Sequence, residues 1–271
     1  MSLPEVKLSM GIHVMHLFYN IDRLRWSQLP AGESKAALVR VEALVAANNQ
    51  ACQPRIATYA TVGGRADIAF ILYAADGGKL AQMHRDLEAA FPAGTLQRVY
   101  HYLSITELSE YASTEEDYKQ MLIRGEKLEP GTEAFDKRFA EMLEKKKEYE
   151  HYRLNPELQD WELMAFYPMS KRRQGNDNWY SLDMDARKKL MGGHARVGRK
   201  FGGRVSQLIT SSTGLDDWEW GVTLVAHQMD ALRDIVYEMR FDEVSARYGE
   251  FGPFYISLRL STAAIWEHLK L

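Results

Sequence analysis

Apolar and polar residues fall into short runs and helical stripes along the chain, and the order of these patterns repeats. Residues 10–20, MGIHVMHLFYN, are apolar and aromatic without a helical period, which suits a buried strand. Residues 34–48, SKAALVRVEALVAAN, place Leu38, Val41, Leu44 and Val45 in one stripe, so a helix is predicted with Ser34 as its N-cap. RIATYATV at 55–62 reads as a strand, and the Gly63-Gly64 turn leads to a second, ADIAFILYA. Residues 78–91 set Leu80, Met83, Leu87 and Phe91 on one helical face, and residues 95–106, TLQRVYHYLSIT, form a strand. This β-α-β-β-α-β order is the ferredoxin-like unit.

Residues 112–150 break the pattern. They are rich in Glu and Lys, carry the breaker EPGT at 129–132, and then set Phe135, Phe139 and Met142 in helical register. Such charge runs are usually solvated faces, so one or two surface helices are predicted in a connecting segment. From residue 160 the first order returns. DWELMAFYPMSK is a strand, SLDMDARKKLMGGHARVGRKF a helix, GRVSQLITSS and WEWGVTLVAH two strands, HQMDALRDIVYEMRF a helix and PFYISLRL a strand. The pattern therefore predicts an α+β protein of two ferredoxin-like halves, residues 1–111 and 160–271, joined by a charged connector over 112–159. Two such sheets can pack or close into an eight-stranded barrel.

Composition narrows the picture modestly. Of 271 residues, 46% are hydrophobic and 26% charged, which suits a globular chain and excludes a disordered one. Lys and Arg number 34 against 37 Asp and Glu, a net charge of -3, so no overall field favours nucleic acid. Cys52 is the one cysteine, which excludes an internal disulfide and a cysteine-built metal cluster. No apolar run reaches the roughly 18 residues of a membrane span, and MSLPEVKLSMGIHVMH lacks the features of a signal peptide. A cytoplasmic location is expected.

Familiar signatures are missing: no Walker loop, no GxGxxG after a strand, no HExxH and no GxSxG. If the protein is an enzyme, a bound cofactor carries the hard chemistry. His13 and His16 are three apart on a strand and so face opposite ways, which suits structural roles. Three other places stand out. In MAFYPMSKRR, strand alternation puts Ala165, Tyr167, Met169 and Lys171 on one face. Pro168 between them favours an edge or a bulge over a central position, and with Arg172 and Arg173 after it the run also fits an edge strand blunted by charge. In the helix over 183–200, Arg187, Leu190, Met191, His194 and Val197 share a stripe, so His194 faces the apolar side. A hydrogen-bonded core histidine fits that position, and so does an iron ligand, with Gly192 and Gly193 letting a flat group approach. In GRVSQLIT, Gln207 lies between Val205 and Ile209 on one face, and its amide needs a partner, either backbone or a bound ligand.

YPMSKRR at 167–173, MGGHARVGRKFGGRVSQLITSSTGLDDWEWGVTL at 191–224 and YEMRFDEVSARYGEFGPF at 237–254 resemble the coproheme decarboxylases of the chlorite-dismutase-like superfamily. YATVGGRADIAFILY and YHYLSITELSEY in the first half are similar to the same family. The resemblance covers nearly the whole chain except the connector. It implies a dimeric α+β barrel, matching the duplicated order read independently, and a homopentamer. It implies a hydrogen-peroxide-driven loss of two propionates from iron-coproporphyrin III (coproheme) to give haem b. It also implies His194 as the proximal iron ligand, Tyr167 as the radical-bearing residue and Lys171 beside a later-reacting propionate. Gln207 and Met169 match distal positions. Arg153, Arg240, Ser245 and Tyr111 match positions that hold propionates, and Trp179 lies near the pocket. Ser170 stands where the family often has Asp, and Ala195 where it often has Gly. A transient contact with coproporphyrin ferrochelatase is a further implication.

Two related activities fit the same fold. Chlorite dismutase resembles it but carries an arginine over the iron where this chain has Gln207, and a haem-dependent peroxidase is the other. Two readings lie outside enzymology. A haem-binding or delivery protein has no need of Tyr167 beside a propionate, and a structural interaction module would not bind coproheme at all.

Overall fold

The computed structural model describes residues 3–49 and 55–271, so Cys52 lies outside the described residues. The first half consists of β1 (His13–Ile21), α1 (Arg23–Ser27), α2 (Glu33–Asn49), β2 (Arg55–Val62), β3 (Ile68–Ala74), α3 (Gly77–Ala90) and β4 (Leu96–Ile105). The connector folds as two helices, α4 (Glu115–Arg124) and α5 (Glu133–Leu154). The second half opens with β5 (Leu163–Lys171), the short hairpin β6 (Arg173–Gln174) and β7 (Asp177–Asn178), and α6 (Met184–Arg199). It continues with β8 (Val205–Ser211), β9 (Trp220–Ala226), α7 (Met229–Met239), α8 (Glu243–Tyr248), β10 (Gly249–Phe251), β11 (Tyr255–Arg259) and α9 (Thr262–Leu269).

Strand pairing repeats as the sequence does. The first half runs β4-β1-β3-β2 and the second β11-β5-β9-β8. β2 pairs with β11 and β4 with β8, so the eight strands form a closed ring. The β4–β8 joint is a single backbone pair, Ile105 opposite Ser211. Side chains reinforce it: Leu103 N–H donates to Asp216 Oδ2 at 3.2 Å, and Ser212 Oγ donates to the Leu103 carbonyl. Closure leaves few free ladder edges, the usual liability of an open sheet.

Strand alternation sends one set of side chains into the ring and the other out. Val14, Phe18, Tyr59, Ile71, Tyr102, Phe166 and Val225 form the interior core. His16 lies among them, fully buried, stacked on Phe166 at 4.2 Å and bonded to Thr223 Oγ1 at 2.8 Å. His13 faces outward and meets the Ala74 carbonyl at 3.3 Å, as the three-residue spacing requires. The outward face of the first half packs under α2, α3 and α9, and that of the second half under α7 and the residues after α6.

Three local expectations change. α2 begins at Glu33, so Ser34 sits inside the first turn rather than capping it. The turn at Pro30–Gly32 starts the helix: Gly32 takes φ +84° and its carbonyl accepts the first helical bond from Ala36. β5 is not an edge strand. It pairs with β9 on one side, and on the other with β11 over Leu163–Phe166 and then β10 over Met169–Lys171. Pro168 falls where the partner changes, so its missing N–H leaves no ladder position unpaired. The stripe of α6 meets Trp179, Val244 and Tyr248, but no α6 residue is fully buried. Among the described residues no helix is long and apolar enough to cross a membrane.

Candidate functional site

β5 carries the first group. Tyr167 is 5% exposed, stacks on Phe254 at 4.4 Å and lies 5.9 Å from Phe251. Burial holds its phenol above the ordinary range, and the Arg240 guanidinium opposes that shift. Arg240 caps the C-terminus of α7 and lies over the Phe251 ring at 4.1 Å. Lys171, two positions beyond Met169 on the same face, is buried with its ammonium 4.7 Å from the Trp179 ring centre. Burial pushes this ammonium down to about 8, against the attraction of Asp242 and Glu219. The Lys171 N–H donates to the buried Glu219 carboxylate at 2.7 Å.

α6 carries the second group. Asp183 starts it by accepting a bond from the Ala186 N–H at 2.8 Å. His194 faces Asp242, the N-cap of α8, with Nδ1 3.0 Å from Asp242 Oδ2. A carboxylate only accepts, so Nδ1 is the nitrogen that carries a proton here, and in the neutral ring Nε2 is the one left with the lone pair an iron ligand needs. Burial pushes the Asp242 carboxyl up, but bonds from His194 and Ser245 outweigh it and hold the carboxyl below its ordinary range. Ser245 spends its hydroxyl on Asp242, at 3.1 Å.

The connector and its neighbours complete the cluster. Arg153, in the last turn of α5, donates to the Glu107 carbonyl at 3.4 Å, while its Nε is buried without a partner. Glu107 in turn accepts from Trp220, which lies opposite Met169 in the sheet. Tyr111 meets Trp179 edge to face at 6.4 Å, and burial followed by its bond to Glu110 raises its phenol. Gln207 pairs with Leu224 in the sheet, and its side-chain amide makes no hydrogen bond among the described residues.

Helical spacing puts Gly192 and Gly193 about 200° and 100° around the helix from His194, and Gly198 about 40° from it. A side chain at Gly192 would meet nothing within 4 Å, but that space is not beside the histidine. The close approach is at Gly198, where an added Cβ would come within 3.4 Å of Gln207 Nε2. Gly198 is thus where α6 comes near the sheet, while the space at Gly192 and Gly193 stays open.

Two residues escaped the sequence reading. Arg187 shares the stripe of His194, its Nε is buried and unpartnered, and Glu110 is its nearest carboxylate at 3.8 Å. The stripe was the signal for it. Asp242 had no signal beyond its cap position, because its partner is 48 residues away.

These residues suit an iron porphyrin with several carboxylates. One imidazole keeps a free nitrogen, two arginines hold buried unpaired Nε atoms, and Arg153, Lys171 and Arg240 have no carboxylate partner among the described residues. A cavity of about 770 Å³ opens elsewhere, lined in part by Asp117, Arg124 and Lys188.

Known proteins match along the chain. The family model described as chlorite dismutase matches residues 34–260. A heme-binding protein from Thermus thermophilus is 36% identical, with a TM-score of 0.79 over 100% of this chain and 99% of that one. A chlorite dismutase from Candidatus Nitrospira defluvii, solved with imidazole, is 16% identical, with a TM-score of 0.71 over 97% of each chain. At that identity the second likeness speaks for the fold.

Proposed function

The chain belongs to the chlorite dismutase family, and we propose that within it the protein is a coproheme decarboxylase, converting iron-coproporphyrin III to haem b with hydrogen peroxide. One observation carries this reading. Arg240 acts on the Tyr167 phenol, Lys171 lies two positions along the same strand face from Met169 and is attracted by the Asp242 that holds His194, and Arg153 shares Glu107 with Trp220 opposite Met169; none of the three cations pairs with a carboxylate among the described residues. A substrate with four carboxylates supplies the missing partners, and arginine suits bidentate contact with them.

In this reading the iron porphyrin, oxidised by peroxide, supplies the oxidising power. His194 holds the iron through Nε2, oriented by Asp242. Arg153, Arg187 and Arg240 hold propionates. Tyr167 gives up its phenolic hydrogen and then takes one from a propionate β-carbon. The carbon left short of that hydrogen gives one further electron to the peroxide-oxidised iron porphyrin as the Cα–carboxylate bond breaks, so that carbon dioxide leaves. For each propionate, one peroxide and one proton become two waters as a vinyl group forms. Lys171 holds the later propionate by charge and hydrogen bonds. Gln207 is the neutral amide on the distal side, which binds an anionic oxidant such as chlorite less well than a cation would. The reading carries with it a homopentamer, a cytoplasmic location and coproporphyrin ferrochelatase as a transient partner.

A second reading, non-catalytic haem binding, is favoured by the relative described as heme-binding. One experiment separates the two. Purified protein is titrated with coproheme, peroxide is added, and the porphyrin is weighed by mass spectrometry. Loss of two carboxyl groups supports decarboxylation. Unchanged coproheme after peroxide, with binding intact, leaves the carrier. Rapid oxygen release from chlorite would favour a chlorite dismutase.

A further inference from the structure

A second cluster of ligating side chains sits on the first half, away from the residues above. α3 places His84 and Glu88 four residues apart on the face turned to the sheet, and β4 places His101 opposite them. One ligand atom from each of the three lies within 4.8 Å of the others. From this geometry we propose that His84, Glu88 and His101 form a site for a divalent cation of the zinc class, which clamps α3 to β4.

The distances decide between this and a plain hydrogen-bonded network. A tetrahedron with metal–ligand bonds of about 2.1 Å has edges of about 3.4 Å. His84 Nε2 and Glu88 Oε1 are already 3.3 Å apart. Tyr19 OH lies 3.1 Å from that nitrogen and donates to that carboxylate at 3.0 Å, which orients both. The remaining adjustment is at His101, whose ring stands edge-on to His84 with centroids 5.0 Å apart. With all three ligand atoms within 4.8 Å of one another, a rotation that closes at most about 1.4 Å completes three corners and leaves the fourth for water.

His101 is the second observation. Its Nε2 is buried and has no hydrogen-bond partner, which a complete network would not leave. Two imidazoles and one carboxylate match the ligand set of open zinc sites. The competitor is Arg98, 3.2 Å from Glu88 Oε1, but its side chain is 61% exposed and free to swing away.

The test uses the full chain, zinc chloride and a chromophoric chelator. The expected result is one chelator-competing equivalent of Zn2+, and visible bands of a tetrahedral centre when Co2+ replaces it. His101→Gln and Glu88→Gln should each weaken that equivalent by about 10-fold or more. His194→Ala should not, which separates this site from the iron ligand. Zinc should also raise the melting temperature of the wild type and not that of His101→Gln. If a variant unfolds, the Co2+ spectrum of the wild type still decides. No competition with the chelator, or an equivalent that survives both variants and disappears in His194→Ala, overturns the proposal.

Discussion

His194 Nδ1 stands 3.0 Å from Asp242 Oδ2, so the stripe of α6 is tied to the cap of α8 through the ring that offers Nε2 outward. A carboxylate on the far nitrogen makes the imidazole a stronger electron donor. Asp242→Asn keeps the cap and removes the charge. The expected result is an intact fold, coproheme bound within a few-fold of wild type, and a higher ferric–ferrous midpoint potential with a weaker iron–histidine stretch. His194→Ala should abolish that stretch, while arginine contacts keep part of the affinity. An unchanged stretch in His194→Ala would remove the histidine from the iron.

Tyr167→Phe deletes a hydroxyl that has no hydrogen-bond partner among the described residues. Stability should change little, because no bond is lost and the ring keeps its stack on Phe254. Coproheme should still bind, since Arg153, Lys171 and Arg240 remain. Hydrogen abstraction should stop, because phenylalanine cannot form a phenoxyl radical. Peroxide titration followed by mass spectrometry should find all four carboxyl groups, whereas Lys171→Ala should accumulate the three-propionate species. A normal yield of haem b from Tyr167→Phe would sink the radical role.

The ring of strands was legible because its alternation is strong. Tyr167, Met169 and Lys171 share a face as their spacing requires, and the second half repeats the order of the first. What failed was local or distant. Ser34 looks like a cap, yet a glycine turn two residues earlier starts the helix. Pro168 looks like an edge marker, yet the fold places a change of partner strand there. α8, β10 and α9 are short, and their periodicity is too brief to read. α9 is fixed by burying Ile265 and Trp266 in the core of the other half, a contact that no local window contains. Asp242 illustrates the same limit within the site, since only the packing of α8 on α6 brings it to His194.

Lys171 should make substrate binding pH-dependent. Burial lowers its ammonium from 10.5 to about 8. The cation that attracts a carboxylate is thus present below about pH 8 and lost above it. Affinity for coproheme should fall as pH rises through that value, although a bound carboxylate will move the midpoint up. For folding the sign is opposite. The unfolded chain binds this proton more tightly, so stability from this group rises between about 8 and 10.5. Binding isotherms from about pH 7 to about pH 9 on wild type and Lys171→Met decide the matter. Parallel curves for the two proteins would exclude Lys171 as the source.

His16 should make the fold acid-sensitive. It is fully buried inside the ring, stacked on Phe166, and its Nε2 meets Thr223 of the second half. Burial alone lowers its imidazole from 6.5 to about 3. Between those values the unfolded chain takes up a proton that the folded chain refuses. Stability is therefore complete above about 6.5 and falls as pH drops toward 3, by about 1.4 kcal/mol for each pH unit. His84 and His101 are also lowered, so the total slope is steeper and the test needs a difference. His16→Gln keeps a polar group within reach of Thr223 and cannot titrate. It should be less stable than wild type at neutral pH, because the stack on Phe166 is lost. Its urea-unfolding free energy should then fall less steeply from about pH 6 to about pH 4, by about 1.4 kcal/mol per unit relative to wild type. Equal slopes would mean that His16 accepts its proton without opening the ring.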